Sequence, residues 1–161
     1  MIGILSDSHD NLVMLRQAVA LFNDFGCDLV IHAGDFVAPF AAAELRNLRS
    51  PVKAVFGNCD GERAGLAKVF EGMGEVREAP LSFTHAGLRF AVCHLDGSVP
   101  GYLASLPCDV LVFGHTHKPL WEQRNGVLVV NPGEAGGWLH GRSTAALLEP
   151  ATRTVDFLDL A

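Results

Sequence analysis

Cysteine is scarce in this chain of 161 residues, and none of Cys27, Cys59, Cys93 and Cys108 stands in a C-x-x-C pair. That spacing excludes a zinc knuckle and a thioredoxin-type motif. Cys93 and Cys108 fall inside apolar runs and read as reduced packing residues. No apolar run approaches the roughly 20 residues that a membrane span needs. The stretch after Met1, Ile2-Gly3-Ile4-Leu5, has neither the basic flank nor the cleavage site of a signal peptide. The chain therefore reads as cytoplasmic, with no membrane partner. Positive charge is also short: 12 Lys and Arg stand against 18 Asp and Glu, a formal net charge of −6. Such a balance argues against coating nucleic-acid phosphates, although bound metal ions lie outside that count. Linkers, internal repeats and low-complexity tracts are missing too, so residues 1–161 read as one domain.

What is present is a well-filled core, with 49% hydrophobic residues and a mean hydropathy of +0.25. A chain of this length buries about 70% of its unfolded surface. Ile2 to Leu5 reads as a buried strand, followed at once by Ser6-Asp7-Ser8-His9. Asp10 or Asn11 then caps a helix from Leu12 to Phe25, with Leu12, Leu15, Val19 and Phe22 on one stripe and Gly26 ending it. Leu29-Val30-Ile31 is short, branched and apolar, the mark of a buried parallel strand, and it leads to His32-Ala33-Gly34-Asp35. A helix from Pro39 through Leu48 stops before Ser50-Pro51. Val52 to Phe56 is a strand closed by Gly57-Asn58-Cys59-Asp60, and a helix covers Glu62 to Phe70. Leu81 to His85 and Leu88 to Cys93 flank Ala86-Gly87 as a hairpin. His85, beside that turn, reads as a solvated surface histidine. A short helix from Val99 to Leu106 precedes the buried strand Cys108 to Phe113, which ends in Gly114-His115-Thr116-His117. Asn125-Gly126 marks a second hairpin, and strands over Thr144 to Glu149 and Thr154 to Leu158 finish the chain. Two sheets with helices outside is the economical arrangement.

The polar residues at the strand ends carry the functional signal. In open α/β sheets, ligands bind at the carboxyl edge of the strands. A lone Asp after a strand is ordinarily a helix cap, and a lone Asn after Gly an ordinary turn residue. Here Asp7, His9, Asp35, Asn58, His94, His115 and His117 all follow strands. This set of N and O donors suits divalent ions such as Mn²⁺, Fe²⁺, Ni²⁺ or Zn²⁺. It is too large for one tetrahedral zinc and about right for two ions sharing a carboxylate bridge. In His115-x-His117 on an extended segment, both side chains would face the same way and serve neighbouring ions.

The blocks Asp7-x-His9, Gly34-Asp35, Gly57-Asn58, His94 and Gly114-His115-x-His117, in this order, resemble the calcineurin-like metallophosphoesterases. More narrowly, the short length, Gly57-Asn58-Cys59-Asp60 and Asn131-Pro132-Gly133 are similar to the small prokaryotic phosphodiesterases of the YfcE type. The resemblance covers nearly the whole chain. It implies an α/β fold, a four-layer α/β/β/α sandwich of two mixed sheets flanked by helices. It also implies that Asp7, His9, Asp35 and His117 hold one divalent ion and Asp35, Asn58, His94 and His115 the other, with Asp35 as the bridge. The implied activity is hydrolysis of small phosphodiesters by a metal-bridging hydroxide attacking phosphorus in line, with no covalent enzyme intermediate. Mn²⁺ is the expected metal, with Ni²⁺, Fe²⁺ and Zn²⁺ as alternatives. Two ions bring four positive charges against two negative ones from Asp7 and Asp35, leaving a positive pocket for an anionic ester.

The chain departs from the wider family at Cys59, where a His able to protonate the leaving group is usual. Cys59 is the candidate catalytic acid and, with Asn58, a candidate substrate contact. A thiol, with an ordinary pKa near 8.5, donates less readily than an imidazolium, so diesters with good leaving groups are the expected substrates. Glu134 stands where Ser often follows Asn-Pro-Gly, and would repel an anionic substrate if it pointed inward. Cys93 stands where Gly usually precedes the His. His32 reads as a packed strand histidine or as a partner that supports a ligand from behind, Trp138 and His140 as a lid or a surface loop, and Arg142 as a residue whose phosphate contact is left open. Two other classes compete: an interaction scaffold on the same fold, as in a retromer subunit, and a metal-dependent nuclease, which the acidic balance and lack of a basic stripe disfavour. Self-association is left open.

Overall fold

The computed structural model describes residues 1–160. The first half contains β1 (Ile2–Leu5), α1 (Leu12–Asp24), β2 (Leu29–His32), α2 (Pro39–Ala42), β3 (Val52–Val55), α3 (Arg63–Phe70) and β4 (Gly74–Arg77). The second half adds β5 (Leu81–His85), β6 (Leu88–Val92), α4 (Val99–Ser105), β7 (Val110–Val112), β8 (Leu120–Arg124), β9 (Val127–Asn131), β10 (Thr144–Glu149) and β11 (Thr154–Asp159). They form a six-stranded sheet, β11-β10-β1-β2-β3-β4, and a five-stranded sheet, β5-β6-β7-β9-β8. Both are mixed. β1 to β4 run parallel, β10 pairs antiparallel with β1 and the edge strand β11 antiparallel with β10, while β6, β7 and β9 are parallel between antiparallel β5 and β8.

Side-chain alternation explains the layers, because successive residues of a strand face opposite sides. Ile2, Ile4, Leu29 and Ile31 meet Phe90, Val92, Val110, Val112, Leu128 and Val130 between the sheets. Leu5 and Val30 face the other way, against Leu15, Val19 and Phe22 of α1 and Leu66 and Phe70 of α3. On the far side, Ala91, Leu111 and Val129 meet Val99 and Tyr102 of α4. Three apolar interfaces between four layers give the α/β/β/α sandwich.

Asn11 is the cap of α1, its side chain accepting from the Met14 N–H at 3.2 Å. Asn125 and Gly126 both take left-handed backbone at φ 52° and 82°, as a two-residue hairpin turn requires. The helix expected from Pro39 to Leu48 is α only as far as Ala42, and Ala43–Asn47 tightens to a 3₁₀ turn. A segment this short nucleates poorly as an α-helix. β4 was not anticipated. Gly74-Glu75-Val76-Arg77 lacks an apolar run, and it is an edge strand held by its ladder to β3 and by ion pairs of Glu75 with Lys53 and Arg77. His85 also departs from expectation: its Nε2 is buried, 3.4 Å from Asp28 Oδ2.

Candidate metal centre

The loops that leave β1, β2, β3, β6 and β7 converge on one edge of the paired sheets and carry all of the candidate ligands. Backbone bonds stitch them together: Asp7 N–H donates to Gly34 O at 2.9 Å and His9 N–H to Asp35 O at 3.1 Å. Glycine is required where they cross. A Cβ on Gly57 would fall 2.0 Å from Asp35 Oδ1, and one on Gly34 would fall 2.9 Å from His94 Nδ1. Asp7, His9, Asp35, His115 and His117 all have positive φ, from 41° to 66°. Left-handed backbone at a residue other than glycine costs energy and gathers at functional sites, and Asp and His tolerate it better than most. His115 and His117 are therefore not on an extended segment, and the expected same-side geometry does not apply. Instead the His117 ring stacks on His9 with centroids 5.2 Å apart, and the His115 ring meets His94 edge-on at 5.2 Å.

One residue that the sequence did not single out holds this crossing. Asp60 is 2% exposed, and its carboxylate accepts from the N–H groups of Asp35 at 3.0 Å, Val37 at 2.8 Å and Gly57 at 2.7 Å. It fixes the Asp35 loop to the Asn58 loop without touching either side chain. On the opposite side, Asn131 donates to Gly114 O at 2.8 Å and to Thr116 Oγ1 at 3.0 Å, bracing the His115–His117 turn.

The side chains then form two adjoining groups. Asp7 Oδ1 lies 3.3 Å from His117 Nε2 and 3.7 Å from His9 Nε2. Asp35 Oδ2 lies 3.6 Å from His9 Nε2 and 3.3 Å from His94 Nε2, between the two groups. His94 Nε2 is also 2.9 Å from Asn58 Oδ1, and Cys59 N–H donates to Asp35 Oδ1 at 2.8 Å. Asp7, His9 and His117 offer three donor atoms within 4.8 Å of one another, as do Asp7, Asp35 and His94, and His9, Asp35 and Cys59. His115 joins none of these sets; its backbone N–H donates to Asp7 Oδ2 at 3.0 Å.

The arrangement asks for positive charge. His94 Nδ1 sits 2.8 Å from Ala33 O and must donate its proton there. In the neutral ring, Nε2 would then aim a lone pair at two oxygens, so a proton or a cation is needed at that point. Asp7 Oδ1, His9 Nε2 and His117 Nδ1 are buried without a hydrogen-bond partner, a condition that folded proteins seldom leave unexplained. Burial alone would raise the Asp35 carboxyl, yet contact with His94 and with the Cys59 N–H holds it well below the usual carboxylate range. Burial opposes ionisation of Asp7 as well, and the contacts with His9 and Ser6 outweigh it. The Asp7 contact raises His9 above the ordinary imidazole value, and Asp35 raises His94 against the effect of its burial. Anionic carboxylates facing histidines, with buried atoms left unpaired, make a donor set that fits divalent cations.

The other residues resolve differently. The Cys59 thiol is exposed at the cleft, and desolvation and Asp35 push its pKa up to about 11. Glu134 is 1% exposed and lines the inner wall of the cleft. It accepts from the Trp138 and Leu139 N–H groups, with Oε1 3.3 Å from His117 Nδ1. His32 is fully buried, stacked on Phe36 at 3.6 Å, and burial lowers its pKa to about 3. Arg142 pairs with Asp159 at 2.6 Å rather than facing the cleft. A cleft of about 480 Å³ opens over the centre, lined by His9, Asp35, Asn58, Cys59, Trp138 and Leu139 among others, while His140 is exposed and does not line it.

Comparison with known proteins places this geometry in context. The sequence profile of the calcineurin-like phosphoesterase superfamily domain matches residues 1–153. The chain is 37% identical over 156 residues to phosphodiesterase MJ0936 of Methanocaldococcus jannaschii, covering 92% of each. It is 32% identical over 142 residues to phosphodiesterase YfcE of Escherichia coli K12, covering 80% of this chain and 75% of that one. Among solved structures, an archaeal phosphodiesterase superposes with a TM-score of 0.92 at 36% identity, covering 98% of both chains. A Vps29 from Entamoeba histolytica shares the fold at a TM-score of 0.69 and 18% identity, covering 99% of both chains.

Proposed function

The chain belongs to the calcineurin-like phosphoesterase superfamily and is a metal-dependent phosphoesterase, and from that premise we propose that it hydrolyses small phosphodiesters at a dinuclear centre built on Asp35. The observation that carries the proposal is the position of Asp35 Oδ2, 3.6 Å from His9 Nε2 and 3.3 Å from His94 Nε2. One carboxylate thereby reaches two histidine groups that the fold brings in from opposite sheets. Asp7, His9 and His117 with Asp35 would hold one ion, and Asn58, His94 and His115 with Asp35 the other. His115 would need to turn its ring to take part, since its donor atoms join none of the compact sets. Mn²⁺ is the ion we propose for both positions. When bound, two divalent ions supply Lewis acidity for a phosphoryl oxygen and lower the pKa of water near neutrality.

The chain's own residues account for the rest. The Nδ1–H of His94 is held by Ala33 O at 2.8 Å, so its Nε2 is presented to the centre in a fixed tautomer. Asn58, being neutral, contributes an oxygen without adding negative charge. The Cys59 thiol, with its pKa near 11, stays protonated at neutral pH and is therefore a poor nucleophile. The thiol is therefore given no part as a nucleophile in the hydrolysis we propose, which runs without a covalent enzyme intermediate. The same high pKa makes Cys59 a reluctant proton donor, so esters with good leaving groups are the substrates we propose.

The test is a screen of metal-stripped protein against Mn²⁺, Ni²⁺, Fe²⁺ and Zn²⁺, with aryl and alkyl phosphodiesters and monoesters, and with Asp35→Ala as control. Metal-restored diester hydrolysis that the Asp35 variant lacks is the expected result. Failure of every metal, or equal activity in the variant, would overturn the proposal.

A further inference from the structure

Four carboxylates are buried among the described residues: Asp7, Asp35, Asp60 and Glu134. The first two face the candidate centre, and Asp60 fastens two loops. Glu134 has no such role yet, and neither lysine nor arginine pairs with it among the described residues; its ion-pair neighbour is His117. A buried carboxylate needs hydrogen bonds or a countercharge to be tolerated. The Trp138 N–H donates to Oε1 at 2.7 Å, and the Leu139 N–H lies 3.1 Å from both oxygens. Oε1 also lies 3.3 Å from His117 Nδ1, a buried nitrogen that makes no hydrogen bond, so the carboxylate is the charge nearest to it rather than an acceptor in line with it. The other ring nitrogen of His117 faces Asp7 Oδ1 at 3.3 Å.

The segment that follows is tied down along its length. Ala135 N–H donates to Ser6 O at 2.9 Å, Gly136 N–H to Asp7 O at 3.0 Å, and the Trp138 indole N–H to His9 O at 3.0 Å. Yet the Trp138 and Leu139 side chains remain 65% and 69% exposed, and both line the cleft over the centre. Large apolar groups held rigidly and left facing a cleft offer a flat surface to a bound group.

We propose that Glu134 is a positioning residue with two effects: it fixes the ring orientation of His117 toward the metal centre, and it places Trp138 and Leu139 as a wall that takes a flat aromatic ester group. The proposal rests on the dinuclear reading above. A carboxylate beside Nδ1 favours the tautomer with its proton on Nδ1, leaving the Nε2 lone pair for an ion. The same two oxygens hold the turn that carries the wall. One side chain thereby links metal affinity to ester selection, and the substrate class is a phosphodiester with at least one planar aromatic group, aryl or nucleobase.

The experiment measures Mn²⁺ binding to metal-stripped protein by calorimetry, and KM and kcat for an aryl and an alkyl phosphodiester. Glu134→Gln, which has one acceptor oxygen where two are used, should weaken one of the two ions by about 10- to 100-fold and raise KM for the aryl diester. Glu134→Asp keeps the charge but falls short of His117; it should weaken the same ion and stands in if the Gln variant misfolds. Trp138→Ala should raise the aryl KM about 3- to 10-fold, the worth of one aromatic contact, more than it raises the alkyl KM, and should weaken Mn²⁺ less than either Glu134 variant does. Wild-type Mn²⁺ affinity in both Glu134 variants, or an aryl KM unchanged in Trp138→Ala, would overturn the inference. A wild-type chain that binds no Mn²⁺ would overturn the dinuclear reading first, and this inference with it.

Discussion

Replacing Asp60 by Asn separates the loop crossing from the chemistry, because the hydrogen bonds of its carboxylate go to backbone N–H groups. Its Oδ2 accepts from Asp35 and Gly57 N–H groups at 3.0 and 2.7 Å, and its Oδ1 from Val37 N–H at 2.8 Å. The amide has one acceptor oxygen. If that oxygen takes the Oδ2 position, the Val37 N–H faces an NH₂ group and loses its partner, at about 1–3 kcal/mol. The two remaining bonds change from charge-assisted to neutral, at roughly 1 kcal/mol each. Relief of burying a charge offsets part of this, leaving a net loss of about 2–4 kcal/mol. At about 2–4 °C per kcal/mol for a chain of this size, Tm should fall by about 5–15 °C in chelator. Mn²⁺ affinity should fall as well, because the Asp35 N–H anchor is one of the weakened bonds. Thermal melting followed by calorimetric Mn²⁺ titration reads both. An Asp60→Asn protein that melts with the wild type and binds Mn²⁺ equally would show that the crossing is held by something else.

Three further outcomes are expected. His32 has its pKa lowered to about 3 by burial, against an ordinary value near 6.5, so the unfolded chain takes up a proton that the folded chain refuses. The stability present above pH 6.5 is therefore lost as pH falls toward 3, by about 2 kcal/mol between pH 7 and pH 5. Urea unfolding of wild type and His32→Gln at both pH values isolates that difference, and an equal pH slope in the two proteins would refute it. His9 and His94 are raised by Asp7 and Asp35, so Mn²⁺ must displace their protons and its affinity should fall as pH drops through their raised values; titrations in buffers of different ionisation enthalpy count the protons, and no release would contradict the site. Cys59→Ala should cost less than about 10-fold in kcat on poor leaving groups, because general acids typically contribute about 10²–10⁴-fold; a loss of 100-fold or more confined to poor leaving groups would make the thiol the acid.

The short continuous apolar runs Ile2 to Leu5 and Leu29 to Ile31 made the buried strands readable, and their ends made the candidate ligands stand out. Strand parity also gives the sandwich its three apolar interfaces. What escaped the sequence was held by backbone or by long-range contact. β4 is polar and depends on its ladder to β3. The left-handed φ of Asp7, His9, Asp35, His115 and His117 has no compositional mark outside glycine. Asp60 was visible within Gly57-Asn58-Cys59-Asp60, but two of its three N–H partners, Asp35 and Val37, come from the loop after β2, distant in sequence. Glu134 read as a charge of uncertain direction, since the N–H groups of residues 138 and 139 that turn it inward depend on the fold of the loop. With Glu134 and Asp60 buried alongside Asp7 and Asp35, the pocket is less positive than a count of two carboxylates against two ions implies.

Electron paramagnetic resonance of the Mn²⁺-loaded protein, with Asp35→Asn beside it, bears most directly on the claim that Asp35 joins two ions. The account predicts two Mn²⁺ per chain with an exchange-coupled signal, and its replacement by isolated-ion spectra or by loss of metal in the variant. A single ion in the wild type, two uncoupled ions, or a coupled signal that survives the loss of Asp35 would contradict it.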